Sequence, residues 1–123
     1  MTEQSTKERG RDGEDIALNY LRKQGYRIIE RNYRCRYGEI DLIAKDGKTL
    51  VFVEVKSRRS TAFGAPEEAV GAAKQKKISN VALWYLQEKN ISNHSARFDV
   101  VSILSTGQDQ VIELIRDAFD LAW

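Results

Sequence analysis

The sequence predicts an α/β fold: a mixed sheet flanked by helices, in the order αβββαβ with a weak extra C-terminal strand. Three observations predict it. Two segments carry apolar residues at helical spacing, three short apolar segments lie between them, and a turn dipeptide, Asp46-Gly47, separates two of the three. Each amphipathic helix needs a sheet face to cover, so the strands and helices form layers of one α/β unit spanning residues 1–123.

Residues 1–7 are polar and read as a loose tail. From Lys7 to Gln24, Ile16, Ala17, Tyr20 and Leu21 recur at helical spacing, and Gly25 stands where a helix would stop. Tyr26 to Asn32, Ile40 to Ala44 and Leu50 to Val55 read as strands, the last two joined by a tight hairpin at Asp46-Gly47. Pro66 suits the first position of a second helix, with Glu67 and Glu68 favourable in its first turn. Val70, Ala73, Ile78, Val81, Ala82 and Tyr85 carry its apolar face to about Lys89. Arg97 to Leu104 is a fourth strand. After the turn-like Ser105-Thr106-Gly107, Val111 to Ile115 is a short fifth, and Phe119 and Trp123 are expected to dock on the sheet.

Composition excludes several classes. Hydrophobic residues at 41% and charged residues at 31% are those of a globular domain rather than a disordered or membrane chain. No apolar run approaches the ~20 residues that span a bilayer, and residues 1–15 lack the apolar core of a signal peptide, so a cytoplasmic protein is expected. A single cysteine, Cys35, excludes an internal disulfide. With one histidine, His94, there is no thiolate or imidazole cluster either, so any metal must be held by oxygen. The net charge of +2 is small but unevenly spread: Arg27, Arg31, Arg34 and Arg36 crowd one segment, Arg58 and Arg59 a second, Lys74, Lys76 and Lys77 a third. Such groups suit phosphates, and they also occur as ordinary solvated surface.

The chemistry concentrates on two strands. In Glu39-Ile40-Asp41-Leu42-Ile43 the acids share one face while Ile40 and Leu42 take the other. In Val51-Phe52-Val53-Glu54-Val55-Lys56 the valines face one way and Phe52, Glu54 and Lys56 the other. A hairpin turning at Asp46-Gly47 pairs Lys45 with Lys48, sets Glu39 opposite Glu54 and Asp41 opposite Phe52, and leaves Glu54 diagonal to Asp41 within reach of one cation. The solvent face of a sheet covered on one side would carry the same alternation. Two residues argue for more. Glu14 falls inside the apolar arc of the first helix, where a carboxylate needs a partner, whereas Asp15 points away. Lys74 lies between Val70 and Ile78 on the apolar face of the second helix, placed either to reach an acid or phosphate or to snorkel.

Gly38-Glu39-Ile40-Asp41-Leu42-Ile43-Ala44 followed by Val51-Phe52-Val53-Glu54-Val55-Lys56, with Gly13-Glu14 upstream and Arg31-Asn32-Tyr33-Arg34 between, closely resembles the YraN family of bacterial proteins over nearly the whole chain. That pattern in turn resembles the PD-(D/E)xK nuclease superfamily, which implies a restriction-endonuclease-like sheet with Holliday junction resolvases as structural relatives. By this resemblance Asp41 is the metal-binding aspartate, Glu54 and Lys56 are the E-x-K pair, and Glu14 is the acid of the first helix. The proline that often precedes the first acid is Ile40 here, and Lys74 loosely matches a polar residue of the second helix.

The resemblance implies a nuclease using Mg²⁺, with Mn²⁺ as a substitute, held by Asp41, Glu54 and the Val55 carbonyl. The cation would activate a water and stabilise charge on the phosphate, with Lys56 orienting that water. Arg31, Arg34, Arg36, Arg58 and Lys74 would position a nucleic-acid backbone, DNA being the expected partner, by contacts that do not read base sequence. A homodimer follows only by analogy with resolvases. The alternative is a nucleic-acid-binding or adaptor protein that keeps the nuclease fold with little activity.

Overall fold

A computed structural model describes the backbone of residues 6–59, 70–92, 95–106 and 108–120, and side chains from Gly13 onward. The element order is α1 (Thr6–Lys23), β1 (Arg27–Cys35), β2 (Gly38–Asp46), β3 (Thr49–Arg58), α2 (Ala72–Glu88), β4 (Ala96–Thr106) and β5 (Asp109–Phe119). This is the expected mixed α/β order, αβββαββ. Thr6 and Lys7 belong to α1 and not to a tail, and the fifth strand is far longer than the apolar run Val111–Ile115 suggested.

α1 buries Ala17 and Leu21 completely and ends where the glycine signal placed its end. The Tyr26 N–H reaches the Leu21 carbonyl at 2.9 Å and the Gly25 N–H reaches Arg22 at 3.0 Å, with Gly25 at φ +93°. This Schellman stop satisfies the last carbonyls and drops buried Tyr26 into the same apolar cluster as Leu21. α2 ends in the same way: the Ile91 N–H bonds Leu86 and the Asn90 N–H bonds Gln87, with Asn90 at φ 55°.

The start of α2 corrects the sequence reading. Pro66, Glu67 and Glu68 lie outside the described residues, as do His94 and Trp123. Gly71 is the extended N-cap, so Val70 precedes the helix and does not belong to its stripe. Val70 is nonetheless buried, and its carbonyl accepts a hydrogen bond from Gln75 Nε2 at 2.8 Å.

The sheet runs β1-β2-β3-β4-β5, antiparallel except for the parallel β3–β4 pair that α2 connects. α1 covers one face, over Leu42, Ala44, Val51, Val53, Val101 and Ile103; α2 covers the other, over Ile43, Leu50, Phe52, Phe98 and Val100. β3 is therefore buried on both sides, and the face carrying Glu54 is not the solvent side of a meander. Phe52 fixes it to α2 and β4, its ring centroid 6.0 Å from Tyr85 and 5.6 Å from Phe98.

The hairpin register also differs from the expected one. Asp46 pairs with Thr49, Lys45 with Leu50 and Ile43 with Phe52, so the turn residues are Gly47 and Lys48. Gly47 at φ 61° explains the shift: the residue with no steric cost in the left-handed region takes the first turn position, and Asp46 is left as the last paired residue. The faces survive this change, because the partner moves by two residues.

Candidate functional site

Asp41 stands where β2 leaves β3. The last pair of the β2–β3 ladder is Leu42 with Val53; beyond it Asp41 Oδ2 accepts the Val55 N–H at 2.8 Å, so a side chain continues the ladder. On the other flank, Asn32 lies level with Asp41, between the Arg31–Leu42 and Tyr33–Ile40 pairs, with φ 54°. This left-handed residue breaks the alternation of both strands. Tyr33 and Ile40 consequently join the cluster under α2, on the side of Ile43, while Leu42 stays on the α1 side; Ile40 and Leu42 do not share a face as expected. Asparagine tolerates this conformation better than most residues.

The register brings Asp41, not Glu39, to the level of Glu54. Glu39 is exposed and paired with Arg34 at 2.9 Å. Glu54 is only 7% exposed, and its Oε1 lies 3.8 Å from Lys56 Nζ and 3.6 Å from Lys74 Nζ. Lys74 thus reaches the acid from α2, although its side chain is 45% exposed. Asp41 and Glu54 are close enough to share a hydrogen bond, and burial followed by the Glu54 charge pushes the Asp41 carboxyl up to about 7 from 3.8. The Val55 N–H and the Lys74 charge oppose that shift without cancelling it.

Glu14 approaches Asp41 from the α1 side. Burial and the Asp41 charge raise its carboxyl, against a hydrogen bond from Asn32 and the charge of Arg31, whose Nε is 3.6 Å from Glu14 Oε1. The preceding Gly13 lets the middle of α1 lie against β3: a Cβ there would run into the Ser57 Oγ, one residue beyond Lys56. Side chains distant in sequence therefore converge on one locus at the end of the β2–β3 ladder.

Of the expected phosphate contacts, Lys74 is paired with Glu54 as described, and two arginines are also engaged by acids. Arg31 bonds Asp15 at 2.6 Å besides approaching Glu14, and Arg34 holds Glu39. Arg36 lies over the ring of Tyr37, and Arg58 is half-buried on β3. Sequence reading missed Asn32, which twists β1 and bonds Glu14; its signal was an asparagine inside an otherwise strand-like segment.

Among the described residues no three His, Cys, Asp or Glu side chains form a ready cage for a metal. A hard cation that keeps several waters needs only one or two carboxylates. The Asp41–Glu54 pair fits it: Val55 occupies Asp41 Oδ2 and the two lysines approach Glu54 Oε1, so the other oxygen of each carboxylate takes none of these contacts. Two acids forced together, one buried and one half-buried, with their charge incompletely balanced, are a donor set suited to a divalent ion.

Fold and site define an α/β protein with a carboxylate pair, Glu54 buried and Asp41 half-buried, and two lysines gathered at the end of a strand ladder. The pattern of Uncharacterised protein family UPF0102 matches residues 13–103, a stretch that contains this whole cluster, and the chain belongs to that family, the YraN family of the resemblance above. Among its relatives, a UPF0102 protein of Syntrophus aciditrophicus (strain SB) is 56% identical over 93% of this chain and 90% of its own length. One from Geotalea daltonii is 52% identical over 93% and 91% respectively. UPF0102 protein GSU0650 of Geobacter sulfurreducens is 52% identical over 90% and 88%. No described helix is long and apolar enough to cross a membrane.

Proposed function

We propose that this protein is a Mg²⁺-dependent endonuclease that hydrolyses phosphodiester bonds of nucleic acid, structured DNA being its substrate class. The observation that carries the reading is the Asp41–Glu54 pair: two carboxylates in contact, Glu54 buried and Asp41 half-buried, with Lys56 and Lys74 beside them. A pair of this kind is costly for stability alone, and active sites are where such perturbed groups collect.

Asp41 and Glu54 would hold the cation, with the Val55 carbonyl on the same segment as a third oxygen. The cation supplies Lewis-acid polarisation of the scissile phosphate and of the attacking water. Lys56, on the face of β3 that carries Glu54, orients that water and balances charge at the phosphate. Lys74 holds Glu54 and offers its remaining protons to a phosphate oxygen. Glu14, held by Asn32 and Arg31 on the α1 side, would accept from a water of the cation's shell.

The test incubates the protein with Mg²⁺ or Mn²⁺ and branched, flapped, duplex and single-stranded substrates, beside the Asp41→Asn and Glu54→Gln variants. Cleavage by the parent should fall about 10²–10³-fold or more in either variant. Lys56→Ala should lose cleavage yet retain metal binding by calorimetry. Equal cleavage by parent and variants assigns the activity to a contaminant. Binding without cleavage favours the adaptor reading, for which the acid-paired Arg31 and Arg34 leave a narrower basic surface than the sequence suggested.

A further inference from the structure

At the tip of the β1–β2 hairpin, Tyr37 is 45% exposed, one of few large hydrophobic side chains so open among the described residues. A single exposed aromatic is ordinary. This one is held on two sides: the Arg36 guanidinium lies 5.5 Å from its ring centroid, and the Trp84 ring of α2 meets it at 5.7 Å and 63°. Trp84 is itself half-buried against the core cluster under α2, so the platform rests on the protein interior. The hairpin is held close to α2 at Gly38, whose φ of +140° excludes other residues and whose Cβ position lies 3.4 Å from Val81. Tyr37 is a fixed ring, not a loose one.

The surroundings are cationic. Arg36 adjoins it, exposed Lys77 lies on the Trp84 flank of α2 two turns earlier, and Lys74 leads on to Glu54. A protein partner's apolar anchor would favour an apolar rim, whereas an aromatic ring beside the exposed cations Arg36 and Lys77 suits a base joined to phosphates. Tyr37 is four residues from Asp41, roughly 13 Å at strand rise, and Trp84 packs it on the sheet face that carries Glu54 and Lys56.

We propose that Tyr37, backed by Trp84 and Arg36, is a stacking platform for an unpaired nucleobase, so that the preferred ligand carries at least one unpaired nucleotide beside the phosphate at Asp41 and Glu54. The inference rests on the nucleic-acid reading of the acidic site and narrows it to substrates with single-stranded character. A base held here anchors the strand by its π face and reads no sequence.

The test measures binding of labelled oligo-dT, oligo-U and a duplex of equal length in metal-free buffer, so that no cleavage intervenes. Tyr37→Ala should weaken the single strands about tenfold, the size of one lost base stack, and the duplex less than about twofold, while Tyr37→Phe should bind as the parent does. In Trp123→Phe, where Trp84 is the remaining tryptophan, single strands should quench fluorescence; this reading keeps Tyr37 and is independent of how the alanine variant folds. Comparing the dT and U arms tells DNA from RNA, and loss on Tyr37→Ala in either upholds the platform. Equal losses for single strand and duplex, or absence of quenching, overturn it. Cleavage by a protein whose single-strand binding ignores Tyr37 removes the platform and spares the nuclease; Tyr37-dependent binding without Mg²⁺-dependent cleavage does the reverse.

Discussion

Among the described residues, the acids Asp99 and the Asp41–Glu54 pair are drawn away from water and treated in opposite ways. Asp99, on β4 level with Val53 and bonded to Tyr26 of the α1-side cluster, is completely buried and surrounded by donors. Tyr26 Oη donates to its Oδ2 at 2.7 Å, Arg97 Nε to Oδ1 at 3.0 Å, and the Asp117 N–H to Oδ1 at 2.9 Å. Arg97 also binds Asp46 at 2.8 Å, so the network ties the β2 end, β4 and β5 together. Asp41 has one backbone donor and another carboxylate. Burial alone does not mark a functional acid. Asp99 is compensated within the fold, whereas Asp41 and Glu54 together leave charge that a ligand can complete.

The sharpest way to break this comparison is to remove each acid and measure unfolding in urea. Asp99→Ala should cost about 3–5 kcal/mol, because it leaves the Arg97 and Tyr26 donors without their acceptor and frees the Asp117 N–H at the irregularity of the β4–β5 ladder. Asp41→Asn should cost little or should stabilise, because it removes one of two facing charges. Equal losses would place both acids in the same structural class.

A smaller effect separates them by pH. The Asp41 carboxyl ionises near 3.8 in the unfolded chain and at about 7 in the folded one, so between those values the folded state holds a proton that the unfolded state lacks. Stability contributed by this group therefore falls as pH rises from about 4 to about 7, and the penalty, on the order of a few kcal/mol, is complete above 7. Asp41→Asn should remove that slope from a plot of unfolding free energy against pH. Mg²⁺ should offset the penalty at pH 8, raising Tm by several degrees in the parent and not in Asp41→Asn. A rise of equal size in both would place the cation elsewhere.

The smallest expected effect concerns the exposed Arg34–Glu39 pair, whose arginine the sequence offered as a phosphate contact. Arg34→Ala should change stability by less than about 1 kcal/mol, and less still at high salt. A larger loss would mean that the hairpin tip depends on it.

The sequence by itself determined the element order and the C-terminal ends of both helices, and it set Glu54 and Lys56 on one face. These follow from local signals: apolar period, the Gly25 stop, and strand alternation that puts Glu54 and Lys56 on one face. The tertiary structure decided how those residues meet. Pairing at the hairpin depended on which residue took the left-handed turn position, and Gly47, rather than the dipeptide's centre, set the register that placed Asp41 beside Glu54. The twist at Asn32 has no periodic signature, because one left-handed residue reverses the faces of two strands without changing their composition. The Asp99 network joins residues 73 positions apart, and β5 gains its full length by pairing with β4, not from its own apolar run. Such features depend on what another segment presents across space, which no single stretch of chain encodes.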